Sequence, residues 1–517
     1  TLGRNITAIE VSGNGRLEVA DAASLPSTLA TLRVTGNGKL VLPNGLDLTV
    51  GRVVFGSLGL EPDEYSFSSY PDQVTGGGSF TVTEEPIPEP GETFTWTGAG
   101  ADNAIETPAN WDKPPTFSRN AQLVFGTTAK TAVTVNSDVK AYSLTFAGDA
   151  DYAVSSGNVN GKLSVFKTLA TTAAGRTVTI SAPIQVARND GEWNVASGTT
   201  LQLDGAISGG LVDYEIWQRG AGVMKLAGDN RNLLSKFVVT NGMTWAQHEW
   251  ALGSDQRPFM FYGDATEAEF NARGGRPSSR YLRFDPETRA ATRLGGATPL
   301  VMTNYTPVAF CGYPGLLVPN KTKPDGTGAV NPGYTVVFAK PLRKIPGGYS
   351  SNMLLSYWYS TLTLNGGFRA EVDDPVVLTQ DGGLLNLNGP LVGGKITLVG
   401  VSKGKTYLGT DGESSLDVLN LMYNGTKAVR ELFVGCVTAP ILRLGVDWSS
   451  STAELDLDGY DAMFRHLETM NGNVVYTISS PVGKPASVHL TDNAGWSGAR
   501  VDVAFAGEAA LVKTGSG

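Results

Sequence analysis

Two phrases near the start of the chain say the same thing at a fixed distance. Residues 11–19 read VSGNGRLEV and residues 34–42 read VTGNGKLVL, an offset of 23, and Ile9 before the first copy matches Leu32 before the second. A third version, VTGGGSFTV at 74–82, follows after a longer interval of 40. Asn-Gly between alternating residues is a strong local signal for an antiparallel hairpin. Recurrence at 23 argues for something else. Periods of about 20–30 residues, each holding two or three short strands, mark β-helices, in which every coil stacks on the last.

A longer phrase points the same way. Residues 216–230 read IWQRGAGVMKLAGDN and residues 511–517 read LVKTGSG, so that Ile216 aligns with Leu511, Gly220 with Gly515 and Gly222 with Gly517. The first copy runs on into a strand-like Val223-Met224-Lys225-Leu226 and a Gly-Asp-Asn turn. The second stops where that strand is due, which leads us to expect a segment of a longer chain whose coils continue.

Composition suits this reading. Glycine makes up 64 of 517 residues, charged residues are 17% and hydrophobic residues 41%, a profile of many short strands and turns with little exposed helix. From Ala121 to Leu226 short alternating strands follow one another across turns rich in Gly, Asn, Asp and Ser. Alternation places Val178, Ile180, Ile184, Val186, Trp193, Val195, Leu201 and Leu203 inward and Thr, Gln and Asn outward. Three such strands make a coil of roughly 20–25 residues, the β-helix period, and the chain has length for roughly 20 coils. The fold class expected is all-β, a right-handed parallel β-helix (β-solenoid) with loop insertions.

One boundary interrupts it. Residues 84–92 (EEPIPEPGE) hold three prolines and four glutamates, which suits a stiff solvated linker and neither a central strand nor a helix interior. Residues 1–83 then read as the closing coils of one solenoid module and 93–517 as a second module, incomplete at its end. Within the second, 255–345 is irregular and reads as a loop insertion, with a short helix expected at 266–273 capped by Thr266. The second module opens with Trp96 and Trp111 around a Gly/Ala/Asn loop. They are read as an end-cap over otherwise unpaired strand edges, or as a platform for stacking sugars.

Net charge is −9 without a basic cluster, so a nucleic-acid partner is not expected. No apolar run approaches the roughly 20 residues of a membrane-spanning helix. Cys311 and Cys436 lie outside any metal-like spacing; they are either one disulfide or two buried thiols. No metal or other cofactor is expected.

For catalysis the candidates are sparse. Asp373 and Asp374 adjoin, and Glu454, Asp456 and Asp458 share one face of a strand whose leucines share the other, which suits a Ca²⁺ or acid/base site or simply a solvated outer face. Residues 400–404 match GxSxG around Ser402, but a nucleophile elbow needs a helix next, and Lys405-Thr406-Tyr407-Leu408 reads as a strand. His248, His466 and His489 have no partner evident in sequence. Lys321 and Lys323 suit a solvated loop, and the sequons at Asn5, Asn304, Asn320 and Asn424 occur at chance frequency. The cluster Tyr349, Tyr357, Trp358, Tyr359 places aromatics on one strand; Tyr357, Trp358 and Tyr359 either stack sugars on an outer face or pack in the core.

Taken together these phrases resemble the autotransporter-associated β-strand repeat proteins. The matching stretches are the two Gly-small-Gly phrases at Gly220 and Gly515, AGDN at 227–230, WALGS at 250–254, ELDLDGYD at 454–461, EYSF through VTGGGSFTV at 64–82, and the Trp96–Trp111 opening. The resemblance covers the ends and middle of the chain and leaves out 260–440. It implies a long bacterial surface or secreted protein built as a right-handed parallel β-helix, working as a fibre, sheath or adhesin. Partners implied are further copies, head-to-tail or side by side, or host and environmental glycans. In that family KTGSG runs on into TL, as Gly517 would into Thr1-Leu2; residues 93–517 with 1–83 would then make one period of a tandem array, the rival being a fragment of an irregular long protein. From another functional class come a polysaccharide lyase or hydrolase on the same fold, and a glycan-binding module.

Overall fold

The structure is a computed structural model that describes residues 8–22, 31–56, 58–60, 63–83, 90–186, 190–210, 214–262, 281–284, 301–311, 315–318, 334–346, 353–356, 360–381, 383–400, 405–408, 415–423, 430–434, 438–446, 453–457, 459, 461–469, 476–490 and 503–513. The described residues form strands and two single 3₁₀ turns, with no α-helix among them. The chain divides into two compact units, Thr1–Gly91 and Glu92–Gly517. Most strands are short and pair in parallel with strands one coil away, and the stack is a β-solenoid of about 14 turns.

In the first unit the 23-residue repeat is one coil. Ala8–Val11 pairs in parallel with Thr31–Val34, Ile9 beside Leu32 and Val11 beside Val34, and Arg16–Glu18 pairs with Lys39–Leu42. The two strands flanking each Asn-Gly turn therefore pair with the next coil and not with each other, which rules out the hairpin. The turns stack too: Asn37 Nδ2 donates to Asn14 Oδ1 at 3.2 Å. The third phrase takes a different register from its sequence alignment. Val74 pairs with Leu40 and Phe80 with Leu48, because the longer connection before it shifts the chain by one strand. Two antiparallel strands, Leu58–Gly59 against Arg52–Phe55 and Asp63–Ser66 against Ser79–Val82, finish this unit. A buried set including Leu32, Leu40, Leu48, Val53 and Phe80 forms its core, with Phe55 and Tyr65 packed against Phe80 and Tyr70 against both of them.

In the second unit each coil carries up to three strands, which stack into three columns. Column A runs from Thr93–Trp96 through Gln122–Phe125, Glu215–Gln218 and Val308–Cys311 to Ala509–Lys513. Column B includes Ala132–Val135, Thr177–Ile180, Thr200–Leu203, Val223–Leu226 and Met243–Ala246. Column C includes Ile184–Val186 and Ile207–Gly209 and, higher up, the nine-stranded sheet from Val301–Asn304 to Val503–Gly507. Every inward residue named from the alternation between 177 and 203 is buried, from Val178 to Leu203. These side chains line one continuous core from Phe94 to Val488.

The period explains why the coils are fewer than a uniform repeat implied. Thr177 pairs with Thr200 and Thr200 with Val223, steps of 23. Thr244, however, pairs with Leu282, Tyr281 with Gly315 and Gly315 with Leu354, steps of 38, 34 and 39. The segment 255–345, expected as a loop insertion, carries strands of the stack, among them Phe259–Tyr262, Val308–Cys311 and Thr335–Phe338. Its extra length sits between the strands. The helix expected at 266–273 lies outside the described residues.

Candidate functional site

Parallel coils place equivalent side chains about 4.8 Å apart along the stack, so flat outward groups meet face to face. On column B, Lys225, Trp245 and Arg283 occupy one outward row. The Lys225 Nζ lies 4.6 Å from the Trp245 ring centroid and the Arg283 Cζ lies 4.0 Å from it. At the following corner Arg231 sits 5.1 Å from the Trp250 centroid, while the Tyr305 ring stacks on Trp250 at 4.8 Å and 16°. Asp229 fixes Arg231 by a 2.7 Å contact to its Nη2. Beside them on column A, Arg219 lies 5.2 Å from the Trp217 centroid. Cation–π attraction and desolvated stacking explain the arrangement. It is a ladder in which the Trp245 and Trp250 rings are covered from neighbouring coils and the Trp217 ring by Arg219 of its own coil.

A second grouping lies higher in the stack. Asp461 Oδ1 accepts from the Ser487 backbone N–H at 2.8 Å and from its hydroxyl at 2.7 Å; Ser487 Oγ is also 2.8 Å from His489 Nε2. Those bonds, the hydroxyl's first, hold the Asp461 carboxyl below the ordinary carboxylate range. The three residue types are those of an acyl-transfer triad, but the geometry differs. A triad sets the carboxylate on the imidazole nitrogen away from the serine. Here Asp461 Oδ2 lies 3.9 Å from the same Nε2 that meets Ser487. With its proton on Asp461, the serine accepts from the imidazole. The grouping ties two coils together and does not activate a nucleophile.

A buried amine stands inside the stack. Lys344 is 1% exposed on the inward row between Phe310 and Ala370. Burial pushes its ammonium down to about 8, partly opposed by the nearby Cys311 thiol.

The residues singled out from sequence are scattered along the stack. Trp96 and Trp111 are buried, their rings edge-to-face at 5.5 Å; Trp96 Nε1 donates to Lys130 O at 2.9 Å and Trp111 Nε1 to Ile105 O at 2.7 Å. Both rings pack against Phe125, which leaves no open indole face for a sugar. Cys311 is buried with its Sγ 3.4 Å from Pro346 O; Cys436, the other half of the expected pair, lies outside the described residues. So do Tyr349, Tyr357, Trp358, Tyr359, Ser402, Asp458, Lys321, Lys323, Asn5, Asn320 and Asn424, and the side chains of Glu454, Asp456 and His466. Leu455 and Leu457 are core residues, and Asp373 and Asp374 are exposed. After the GxSxG match comes the strand Lys405–Leu408, where an elbow would need a helix. His248 is 6% exposed and its Nδ1 accepts from the Trp250 N–H at 3.0 Å. Asn304 is fully buried, its amide donating to Thr306 O at 2.7 Å, so that sequon is closed. Among the described residues no three His, Cys, Asp or Glu side chains gather as a metal site would require.

Sequence reading missed the Lys225–Trp245–Arg283 row. Its first step, 20 residues, falls within the coil period, but its second, 38, does not. No family profile, curated protein or solved structure matches the chain.

Proposed function

We propose that the chain is a structural β-solenoid of a bacterial surface or secreted protein, a scaffold segment of a fibre, sheath or adhesin and not a catalyst. The observation that carries this reading is the run of parallel pairings linking column A from Thr93–Trp96 to Ala509–Lys513. Stacking of that kind pairs backbone groups along the axis and buries Val, Ile, Leu and Phe between coils, which resists shear and proteolysis. The Lys225–Trp245–Arg283 row and the Arg343–Glu371 pair support it: their ring, cations and carboxylate are engaged with one another across coils. The surface location rests on the resemblance of its phrases to autotransporter-associated repeats, and the glycines of those phrases sit at structural turns. Gly220 and Gly222 back onto Val195 O and Ala196 O, where a Cβ would come within 2.0 and 2.3 Å.

Two experiments test the reading. Incubation with neutral and acidic polysaccharides is expected to release neither new reducing ends nor unsaturated uronates; turnover abolished by His489→Ala or Asp461→Ala would replace the scaffold with an enzyme. Labelling of intact producing cells with a membrane-impermeant amine reagent is expected to mark the chain, and absence of label would sink the surface location.

A further inference from the structure

A stack of parallel strands has a recurring hazard: its end strands offer unpaired N–H and C=O groups to any other strand. At the start of the second unit those groups are already taken. The outer edge of Thr93–Trp96 is met by residues 110–112. Thr95 N–H donates to Asp112 Oδ1 at 2.8 Å, Thr95 O accepts from Asp112 N–H at 2.9 Å, and Thr97 N–H donates to Asn110 O at 2.8 Å. The edge of Ala132–Val135, first strand of column B, is met by residues 103–105: Thr134 N–H donates to Asn103 O and Ile105 N–H to Thr134 O, both at 2.8 Å. At the corner leading to column C, Glu106 Oε1 accepts from the backbone N–H groups of Asn136 and Ser137 at 2.7 and 2.8 Å.

The loop that does this is built to hold its shape. Asn110, fully buried, accepts from Gly100 N–H at 2.9 Å and donates to Ala104 O at 2.9 Å. Ile105 and Trp111 close the core beneath it. The first unit reaches the same result by other means at its far end, where Leu58–Gly59 and Asp63–Ser66 lie antiparallel on the last parallel strands of two of its sheets. An antiparallel strand interrupts the parallel register that a further coil would continue.

We infer that residues 97–112 are an edge terminator that keeps a second copy of this chain from adding its strands to the Thr93–Trp96 and Ala132–Val135 edges. This goes beyond a scaffold role, since it states where the stack is forbidden to grow.

The test uses the full chain. Glu106→Ala/Asp112→Ala removes the polar clamps. Gly98→Val loosens the loop without touching them, because Gly98 has φ +64° and a Cβ there would lie 2.6 Å from Lys130 Cβ. Each variant is expected to speed amide exchange at Thr95, Thr97 and Thr134 at least tenfold, and to raise the sedimentation-average mass with concentration while the wild type stays constant. Adding Thr95→Pro to Gly98→Val removes one edge donor that faces away from the stack, a substitution edge strands tolerate, and should return the mass to that of the wild type. A folded variant with fast-exchanging edges that stays at wild-type mass overturns the inference. So does association that Thr95→Pro leaves unchanged, which would be apolar sticking; so does an edge that stays protected in both variants, or exchange lost throughout the unit in both, which would make the loop part of the folding core.

Discussion

Asn230 Oδ1 accepts the backbone N–H of Ile207, one coil below, at 2.7 Å in a fully buried setting. The same side chain donates through Nδ2 to Ala251 O, one coil above, at 2.6 Å. An amide carries both a donor and an acceptor, so this residue of the AGDN turn links three successive coils. Asn230→Ala would leave a buried N–H and a buried C=O unsatisfied, with an expected loss of about 2–4 kcal/mol in denaturant unfolding. Asn230→Asp keeps the acceptor, and keeps a donor only while the new carboxyl is protonated. Burial would raise the new carboxyl's pKa in the folded state, so the variant should lose stability as pH rises through the carboxylate range. An Asn230→Ala midpoint equal to wild type would refute the linkage.

Trp245 is held between Lys225 and Arg283. Each cation–π contact at a half-exposed site contributes about 0.5–1 kcal/mol, and the ring also shields the row from water. Trp245→Ala is therefore expected to cost about 2 kcal/mol, and Trp245→Phe roughly half of that. A double-mutant cycle of Trp245→Ala with Arg283→Met should return a coupling of about 0.5–1 kcal/mol. A coupling of zero would mean that the stack is geometric only.

The turn before Asn230 makes a steric prediction. Gly228 sits on Gly205 one coil below, where a Cβ on Gly228 would come 2.2 Å from Gly205 O. Gly228→Ala must push these coils apart and is expected to cost about 1–3 kcal/mol, the range for overpacking. Thermal unfolding of the variant reads this directly. An unchanged midpoint would show that the turn yields.

These three sites differ in how far the sequence exposes them. The coil was legible because its signals are local and repeat: alternation put Val178 through Leu203 inside, and the recurrence at 23 paired Ile9 with Leu32. The AGDN turn was legible as a phrase, though not as a bond to Ile207, because the partner is set by stacking. The Trp245 row was hidden for the same reason. Its partner Arg283 is 38 residues away, and a coil whose step varies from 20 to 49 residues leaves no period to extrapolate. The Asp461–Ser487–His489 grouping was equally silent, since inter-coil register alone brings Asp461 to a strand 26 residues on. Lys344 was missed because alternation assigns a lysine outward by chemistry, whereas its register position between Phe310 and Ala370 turns it inward.

That inward lysine gives the pH dependence of the stack a definite sign. Its folded-state pKa, pushed down to about 8, lies below the unfolded value of about 10.4. Between these values the unfolded chain binds more protons than the folded one, so stability rises with pH across that window. The destabilisation is fully present below about pH 8, and by the same shift amounts to roughly 3 kcal/mol. Tyr152 and Tyr262 titrate higher, because burial first of all raises both phenols, and they lower stability as pH climbs past the ordinary tyrosine range. The measurement is therefore a difference: unfolding free energies of wild type and Lys344→Met compared from pH 7 to 10. Lys344→Met should be the more stable protein at pH 7, since methionine fills a similar volume without a charge. The gap should close as pH approaches 10. A constant gap, or a less stable Lys344→Met at pH 7, would show that the ammonium is stabilised where it lies.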